Sequence, residues 1–163
     1  MKRLSPALAL MLVACGAAPA AGEDEAKARA KAEAVLAQGA AEAKTGWQKG
    51  QSAPPVADTL EAEVACTLQW ETWGMAINDG RLVDQVMAAM PSEIQLKPAF
   101  DIHGRWSEKA LSRQDAAGGD PRPIFEASKR LRPAIEAAFD SAFTGKPGAL
   151  EAYVEKLSAC RNP

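Results

Sequence analysis

One uninterrupted, apolar-rich stretch, residues 56–79, constrains the fold of this chain more than any other feature. Pro54 and Pro55 precede it, no proline interrupts it, and Gly80 stands where a left-handed residue would end a helix. At roughly 100° per residue, its apolar side chains fall on two ridges rather than one. The first ridge is Val56, Leu60, Val64, Leu68 and Met75, and the second is Ala62, Cys66, Trp70, Trp73 and Ile77. A helix with two apolar ridges needs partners on two sides, so we expect it at the centre of the fold.

Strand signals are scarce: no sustained alternation of β-branched and polar residues is present, and alanine is abundant. We therefore predict an all-α fold, a small disulfide-stapled bundle of four to five helices preceded by an alanine-rich helical tether. The predicted domains are a signal peptide (1–14), an anchored tether with its linker (15–54) and the helical bundle (55–163). The length of 163 residues suits one such domain.

The first residues have the layout of an export signal. Residues 1–3 are a short basic start, and residues 4–14 form a charge-free run, shorter than the about 20 apolar residues that span a bilayer. Residues 12–15, Leu-Val-Ala-Cys, resemble the lipobox of bacterial lipoproteins. The resemblance implies cleavage before Cys15 and acylation of that cysteine, with palmitate as an attached chain. Gly16 follows, not the aspartate of inner-membrane retention in enterobacterial lipoproteins, so the resemblance implies an outer-membrane, periplasm-facing address.

A second cleavage site competes with this interpretation. Residues 18–20, Ala-Pro-Ala, form a small-x-small site, and cleavage after Ala20 would release a soluble periplasmic protein. The number of cysteines favours the lipoprotein. With Cys15 acylated, Cys66 and Cys160 remain as an even pair, and an exported protein seldom keeps an odd thiol.

The net charge of the chain limits the classes of partner that it can be expected to bind. The whole chain carries 19 basic and 21 acidic residues, and loss of Lys2 and Arg3 with the leader takes the net charge from −2 to −4. An acidic chain without a basic stripe argues against nucleic acid as a partner. It also argues against electrostatic attachment to anionic lipids, so we expect membrane contact through the lipid anchor.

A tether is predicted between the leader and the bundle. Residues 23–44 are rich in Ala, Lys and Glu and contain few large apolar side chains, which favours a semi-rigid helical spacer over a coiled-coil helix. The glycines, serine and prolines that follow predict a linker: Gly46, Gly50, Ser52, Pro54 and Pro55. Trp47 lies inside this linker, and we expect it to fold back onto the core.

The last helix is predicted over residues 149–159, opened by Pro147 and Gly148. Its apolar stripe is Leu150, Tyr153, Val154, Leu157 and Cys160. Cys160 ends this stripe and Cys66 lies on the second ridge of the central stretch, so both thiols belong to surfaces that require burial. In an oxidising compartment we expect them to form a disulfide. The bond would close a loop of 94 residues, which the chain-entropy model credits with roughly 4.5 kcal/mol.

Three further elements are expected between these helices. Residues 82–90 predict a short helix, residues 91–106 an irregular loop, and residues 107–117 a second short helix. Asp120 can cap a longer helix after them. That helix contains Pro133, so we expect it to kink or break there.

The predicted loop supplies candidate contact residues. They are Asp101, His103, Arg105 and Trp106. One interpretation is a small anion or partner site, with Arg105 binding a carboxylate and Trp106 offering a stacking face. The other, which we favour, is that the apolar residues of the loop close the end of the bundle while the alternating polar ones point outward. Trp70 and Trp73 are the candidates for contacts in a pocket within the bundle.

Between the two ridges of the central stretch runs a polar stripe that includes Glu63 and Glu71. If it were buried, the two carboxylates could serve acid–base chemistry or hold a cation. Because unpaired buried carboxylates are costly, we interpret the stripe as a solvated face.

Motifs of known chemistry are missing from the sequence. We find no nucleophile elbow, phosphate-binding glycine loop, zinc-binding histidine pair or calcium loop, and predict no cofactor, metal or catalytic site. The leading hypothesis is a non-catalytic, membrane-anchored module that binds another envelope protein or supports the envelope. The alternative is a periplasmic small-molecule binder or sensor. An enzyme would require Glu63 with Glu71, or Asp101 with His103, to converge in a cleft.

Overall fold

The computed structural model of the chain describes residues 21–82, 84–144 and 146–163, and within these ranges it contains helices and no strand. The helices are α1 (Ala21–Gln51), α2 (Leu60–Asn78), α3 (Asp84–Ala89), α4 (Leu96–Ala116), α5 (Arg122–Ala142) and α6 (Ala149–Ala159), with a 3₁₀ turn at Ser92–Ile94. The all-α prediction is confirmed, and the number of helices is close to that predicted. The predicted signal peptide, the lipobox cysteine Cys15 and the alternative cleavage site at Ala20 lie outside the described residues.

The chain divides into two units, and the larger one spans residues 34–163. Residues 21–33 are the first part of α1, and the rest of that helix belongs to the larger unit. The sequence placed the boundary of the bundle at residue 55. The compact unit thus includes part of the predicted tether.

Helix α2 is the central element of the larger unit, packed against α4, α5 and α6. Its N-terminus is capped by Thr59, whose hydroxyl accepts a hydrogen bond from the backbone N–H of Ala62 at 3.3 Å. Gly80 follows its C-terminus in the left-handed conformation, with φ of 69°. This is the role that the sequence predicted for that glycine.

The buried residues of the two apolar ridges of α2 enter two different cores, whereas Met75 of the first ridge is 41% exposed and Val56 precedes the helix, which begins at Leu60. Cys66, Trp70 and Trp73 are buried in the main core, with α6 and the start of α4. Val64 and Leu68 are buried in a second core, which contains Ala110 of α4, Ala127 of α5 and their apolar neighbours. Because each ridge has its own set of partners, the prediction of a helix with partners on two sides is confirmed.

Helix α6 has the predicted bounds, and its stripe of five apolar residues is buried. Cys66 and Cys160 form a disulfide, with a distance of 5.4 Å between their Cα atoms. Two indole N–H groups converge on the Cys160 carbonyl oxygen: that of Trp70 at 2.9 Å and that of Trp106 at 2.6 Å. The C-terminus of α6 is therefore joined to α2 covalently and to both α2 and α4 by hydrogen bonds.

The predicted linker, marked by Gly46, Gly50, Ser52, Pro54 and Pro55, is wrong in its first half, because α1 continues to Gln51 and packs against α6. Its second half is confirmed, since Ser52, Pro54 and Pro55 lie in the non-helical connection between α1 and α2. A Cβ on Gly46 would lie 2.2 Å from the Glu151 carbonyl oxygen, and one on Gly50 would lie 2.2 Å from that of Glu155. The two glycines, four residues apart, face α6 and let the two backbones approach. In this sequence they serve helix packing rather than chain flexibility.

The predicted loop at residues 91–106 is also wrong, apart from its first residues. Helix α4 runs without interruption from Leu96 to Ala116, with Pro98 in its first turn, where a missing N–H costs nothing. Its buried residues, Ala99, Ile102, Trp106, Ala110 and Gln114, follow the helical repeat. Polar and apolar residues alternate in part of this stretch, which suggested a repeat of two residues. The helix shows that the correct repeat is the helical one.

Helix α5 does not break at Pro133. The helix runs continuously from Arg122 to Ala142 with the proline exposed on its outer side. Buried Ala127 and Phe139 lie on either side of it, so packing holds the two halves in one helix despite the lost hydrogen bond. The N-cap residue of α5 is Pro121, which makes no side-chain capping hydrogen bond, so the prediction that Asp120 caps this helix is wrong. Asp120 precedes the N-cap and accepts a hydrogen bond from the backbone N–H of Arg122 at 3.0 Å.

Two glycine-to-alanine substitutions should have opposite effects on the free energy of unfolding, because Gly46 faces the α6 backbone and Gly104 faces open space. Gly46→Ala should destabilise the protein by about 1–3 kcal/mol, because the new methyl group would meet the α6 backbone. Gly104→Ala, inside α4 with nothing within 4 Å of its Cβ position, should stabilise it by about 0.5–1 kcal/mol through helix propensity. Urea unfolding measures both. Stabilisation by both substitutions would show that α1 does not pack on α6.

Candidate functional site

Two of the predicted contact residues, Asp101 and Arg105, lie on the wall of a surface cleft of about 890 Å³, here called the Trp47 cleft. Its other lining residues are Trp47, Gln51, Ser92, Glu93, Pro98, Ile102, Arg161 and Asn162. The cleft therefore contains polar, charged and apolar groups from four separate segments of the chain.

Each segment contributes to the Trp47 cleft through its local geometry. Asp101 and Arg105 are four residues apart on α4 and therefore lie on one face of that helix. Trp47 and Gln51 have the same spacing on the last turns of α1. The 3₁₀ turn at Ser92–Ile94 and the residues after α6 complete the wall.

Trp47 and Ile102 are the buried residues of this cleft, and Trp47 has 6% of its surface exposed. Its ring packs edge-on against Trp70, with centroids 6.3 Å apart, so the prediction that it joins the core is confirmed. Its indole Nε1 is buried and has no hydrogen-bond partner among the described residues. A buried donor without an acceptor costs about 1–3 kcal/mol, which an acceptor reaching the indole N–H would recover in part.

The other three tryptophans already use their indole N–H groups. Those of Trp70 and Trp106 are donated to the Cys160 carbonyl, and that of Trp73 to the Ile94 carbonyl at 2.7 Å. All three side chains are buried, with Trp106 only 1% exposed. The structure thus places these three predicted contact residues in the core, with their donors committed.

Two carboxylates, Glu93 and Asp101, and two guanidiniums, Arg105 and Arg161, line the Trp47 cleft. Arg161 donates hydrogen bonds to the carbonyls of Gly50 and Gln51, and Arg105 donates to the Arg161 carbonyl at 3.3 Å. In the described ranges, no carboxylate lies within 4.0 Å of either guanidinium. Asp101, by contrast, is paired with Lys97 at 2.6 Å. The two arginines therefore leave positive charge available to a ligand.

A second cleft, of about 590 Å³, continues the first along α1. The two share Trp47, Gln51, Ser92 and Glu93 in their linings. The second one extends along α1 as far as Ala40 and includes Lys44. Together they form an elongated groove whose two parts share Trp47.

The remaining predicted contact residue, His103, does not line the Trp47 cleft. It is half-buried on α4. Trp106 borders a different, smaller cleft of about 340 Å³, where the Lys109 ammonium lies 5.3 Å from the centre of its ring. Asp101 and His103 therefore do not converge in the manner that an acid–base pair would require.

The polar stripe of α2 is not a uniformly solvated face, as the sequence had suggested. Glu63 is 0% exposed, and its carboxylate accepts hydrogen bonds from Arg113 Nε at 3.0 Å and Nη2 at 2.9 Å. Lys109 lies 3.9 Å away, and Asp58 also binds Arg113. Hydrogen bonding to the Glu63 carboxylate raises the pKa of Arg113.

Glu63 and Glu71 do not share a site. Glu71 is partly exposed and pairs with a different arginine, Arg132, at 3.0 Å. No group of three or more His, Cys, Asp or Glu residues arranged to hold a metal ion is found in the described part of the chain. The Glu63 cluster is therefore an ion-pair network that joins α2 to α4.

Comparison with family models, with curated proteins and with solved structures returned no match for this chain. Among the helices that the structure describes, none is both long and apolar enough to cross a membrane.

The two carboxylates of the α2 stripe provide a matched pair of substitutions. Glu63→Gln should cost about 2 kcal/mol or more, because it removes a buried, charge-assisted interaction between two helices. Glu71→Gln, at a partly exposed pair on the same face of α2, should cost about 0.5 kcal/mol. Urea unfolding of both variants measures the difference. Equal losses would mean that Glu63 is solvated.

Proposed function

We propose that this protein is a non-catalytic lipoprotein, anchored in the bacterial outer membrane through Cys15, whose helical bundle binds another envelope protein. The anchor is supported by the basic start, the charge-free run and the Leu-Val-Ala-Cys motif of the leader. The binding role is supported above all by the Trp47 cleft. There Arg105 and Arg161 line an open surface cleft beside Trp47, and in the described ranges neither guanidinium has a carboxylate within 4.0 Å.

The form of the groove favours a protein over a small molecule as its occupant. A small-molecule site encloses most of its ligand and is largely apolar. The Trp47 cleft is open, and its continuation along α1 makes it elongated rather than enclosed. Such a groove accommodates an extended segment of a polypeptide, with polar groups along the rim.

A second candidate function is the binding of a small anion in the periplasm. The 340 Å³ cleft beside Trp106 favours it, because Lys109 and Arg161 both contribute cations to its lining. A soluble sensor of this kind would follow from cleavage after Ala20. Addition of small carboxylic acids would then change the tryptophan fluorescence of the purified protein.

The anchoring part of the proposal is tested by two leader variants. Cys15→Ser should move the protein from the membrane fraction to the soluble fraction and remove the mass of the acyl chains. Ala20→Leu, which blocks the competing small-x-small site, should leave both properties unchanged. Cell fractionation and intact mass measure them. The reverse pattern would establish the soluble protein.

The binding part is tested by photo-crosslinking in intact cells. A benzoylphenylalanine placed at Gln51, on the rim of the Trp47 cleft, should yield a heavier adduct that mass spectrometry identifies as an envelope protein. The same group at Glu126, exposed on α5 and outside the cleft, should yield none. The Gln51 adduct should also disappear when Arg105→Glu is added. Equal adducts at both positions, or none at Gln51, would contradict binding in the cleft.

A further inference from the structure

We propose that a half-enclosed apolar cleft between α1, α3 and the junction of α5 with α6 binds one medium-length fatty acid, with its acyl chain inside and its carboxylate at Lys146. The cleft, here called the Val35 cleft, has a volume of about 310 Å³. Its α1 residues lie on the side of that helix opposite to those of the Trp47 cleft. It is therefore a separate site, and its ligand is independent of the proposed partner protein.

The Val35 cleft has the lining and the size of a small-molecule site. Its large apolar side chains are Val35, Leu36, Val86, Met90, Phe143 and Leu150. Its polar side chains are Gln38, Glu42 and Lys146. Small-molecule sites combine a mainly apolar lining with a few polar groups, and their volumes begin at about 300 Å³. An apolar cavity of about 150 Å³ holds one benzene molecule, so this cleft has room for a ligand about twice that size.

Folding leaves part of this apolar lining uncovered. Val35 is 62% exposed and Phe143 is 40% exposed. Val35 and Leu36 are the only large apolar side chains in residues 23–44, and both line the cleft. The Phe143 ring is nevertheless packed in the aromatic cluster, with its centroid 5.0 Å from that of Phe139 and 6.1 Å from that of Trp73. The wall is thus preformed, and a ligand that removes it from water is bound by the hydrophobic effect.

The form of the cleft favours a chain over a flat ring system. Its lining follows α1 from Val35 to Glu42, about 10 Å of helix at 1.5 Å per residue. Most of the large side chains along it are aliphatic, and their branches leave an irregular surface. An unbranched, flexible chain fills such gaps well, as methionine does in protein cores.

Lys146 supplies the recognition of the head group. It is exposed, and within the described ranges no carboxylate lies within 4.0 Å of its ammonium. Glu42, the acidic residue of the lining, accepts a hydrogen bond from the Gln38 amide at 3.1 Å instead. An ammonium at the edge of an apolar cleft forms a charge-assisted pair with the carboxylate of a ligand whose chain lies inside.

The chain is tested by calorimetric titration of the full-length protein carrying Cys15→Ser, purified without detergent because detergent chains would compete. The ligands are hexanoate, octanoate, decanoate and dodecanoate. Affinity should rise about fourfold with each methylene until the chain fills the cleft, and then level off. Lack of binding, or an affinity that does not depend on chain length, would overturn the inference.

The head group is tested with the alcohols of the same chain lengths. Each acid should bind at least about tenfold more tightly than its alcohol, because the pair with Lys146 is charge-assisted. Lys146→Gln should abolish this difference. Lys129→Gln, at an exposed lysine of α5 outside the cleft, should preserve it. Equal binding of acids and alcohols by the protein with Lys146 intact would overturn the inference.

Two substitutions with matched controls locate the acyl chain. Val35→Asn should weaken octanoate binding about fourfold or more, whereas Leu111→Asn, at a 53% exposed leucine of α4, should not. Gly39→Leu should weaken it at least about tenfold by filling the cleft, since a Cβ there meets only Leu150 Cδ2, at 3.7 Å. Gly104→Leu, with open space around its Cβ position, should not. Melting temperatures should not fall, and unchanged octanoate affinity in both cleft variants would overturn the inference.

The outcomes separate this inference from the proposed function. A crosslinked partner at Gln51 without binding of any fatty acid would overturn the inference and leave protein binding intact. Binding of fatty acids without any crosslinked partner would overturn the proposed function and leave the inference intact. Binding of a naphthalene probe in the Val35 cleft, without binding of any straight-chain acid, would replace the acyl chain by a flat ring and overturn the inference.

Discussion

The structure of this protein depends on one point, the C-terminus of α6. The last carbonyls of a helix have no partner within the helix, and both lone pairs of the Cys160 carbonyl are used by the indoles of Trp70 and Trp106. The disulfide to Cys66 binds the same residue covalently to α2. Immediately beside it, the Ser158 hydroxyl donates to the Trp47 carbonyl at 2.6 Å and so attaches α1. Four helices, α1, α2, α4 and α6, therefore meet at residues 158–160, and two of the tryptophans, Trp70 and Trp106, are oriented there by their indole hydrogen bonds.

The same point positions the candidate site. Because Gly46 and Gly50 allow the backbone of α1 to approach that of α6, Trp47 comes to rest against Trp70 at the edge of the main core. No acceptor among the described residues reaches its indole N–H there, although its neighbours in the core are fully hydrogen-bonded. Arg161, the residue after Cys160, then binds the last carbonyls of α1 and closes one end of the cleft. Packing of the core thus places Trp47 and Arg161 in the lining of one cleft.

The parts of the fold that could be predicted from the sequence are those marked by a pattern within a single helix. The two ridges of α2 and the single stripe of α6 are periodic within one helix, so their burial and the disulfide between them could be inferred. The packing role of the α1 glycines could not be inferred from the sequence. A glycine that lets two helices approach closely cannot be distinguished by its identity from a glycine in a flexible linker. Glu63 was assigned to solvent because its partner Arg113 lies 50 residues away on a helix whose orientation no local pattern reveals. The Trp47 cleft was found only in part, through Asp101 and Arg105, because its walls also come from α1 and from the residues after α6, which are far apart in the chain.

The central claim is that the end of α6 is fixed to the middle of α2 through sulfur, with the indoles arranged around that bond. The most direct measurement is disulfide mapping of native protein, purified without reductant and treated with an alkylating agent before unfolding and digestion. The account predicts that the peptides containing Cys66 and Cys160 are recovered as one linked species that separates only on reduction. Recovery of both peptides singly, each carrying the alkyl group on its cysteine, would contradict it.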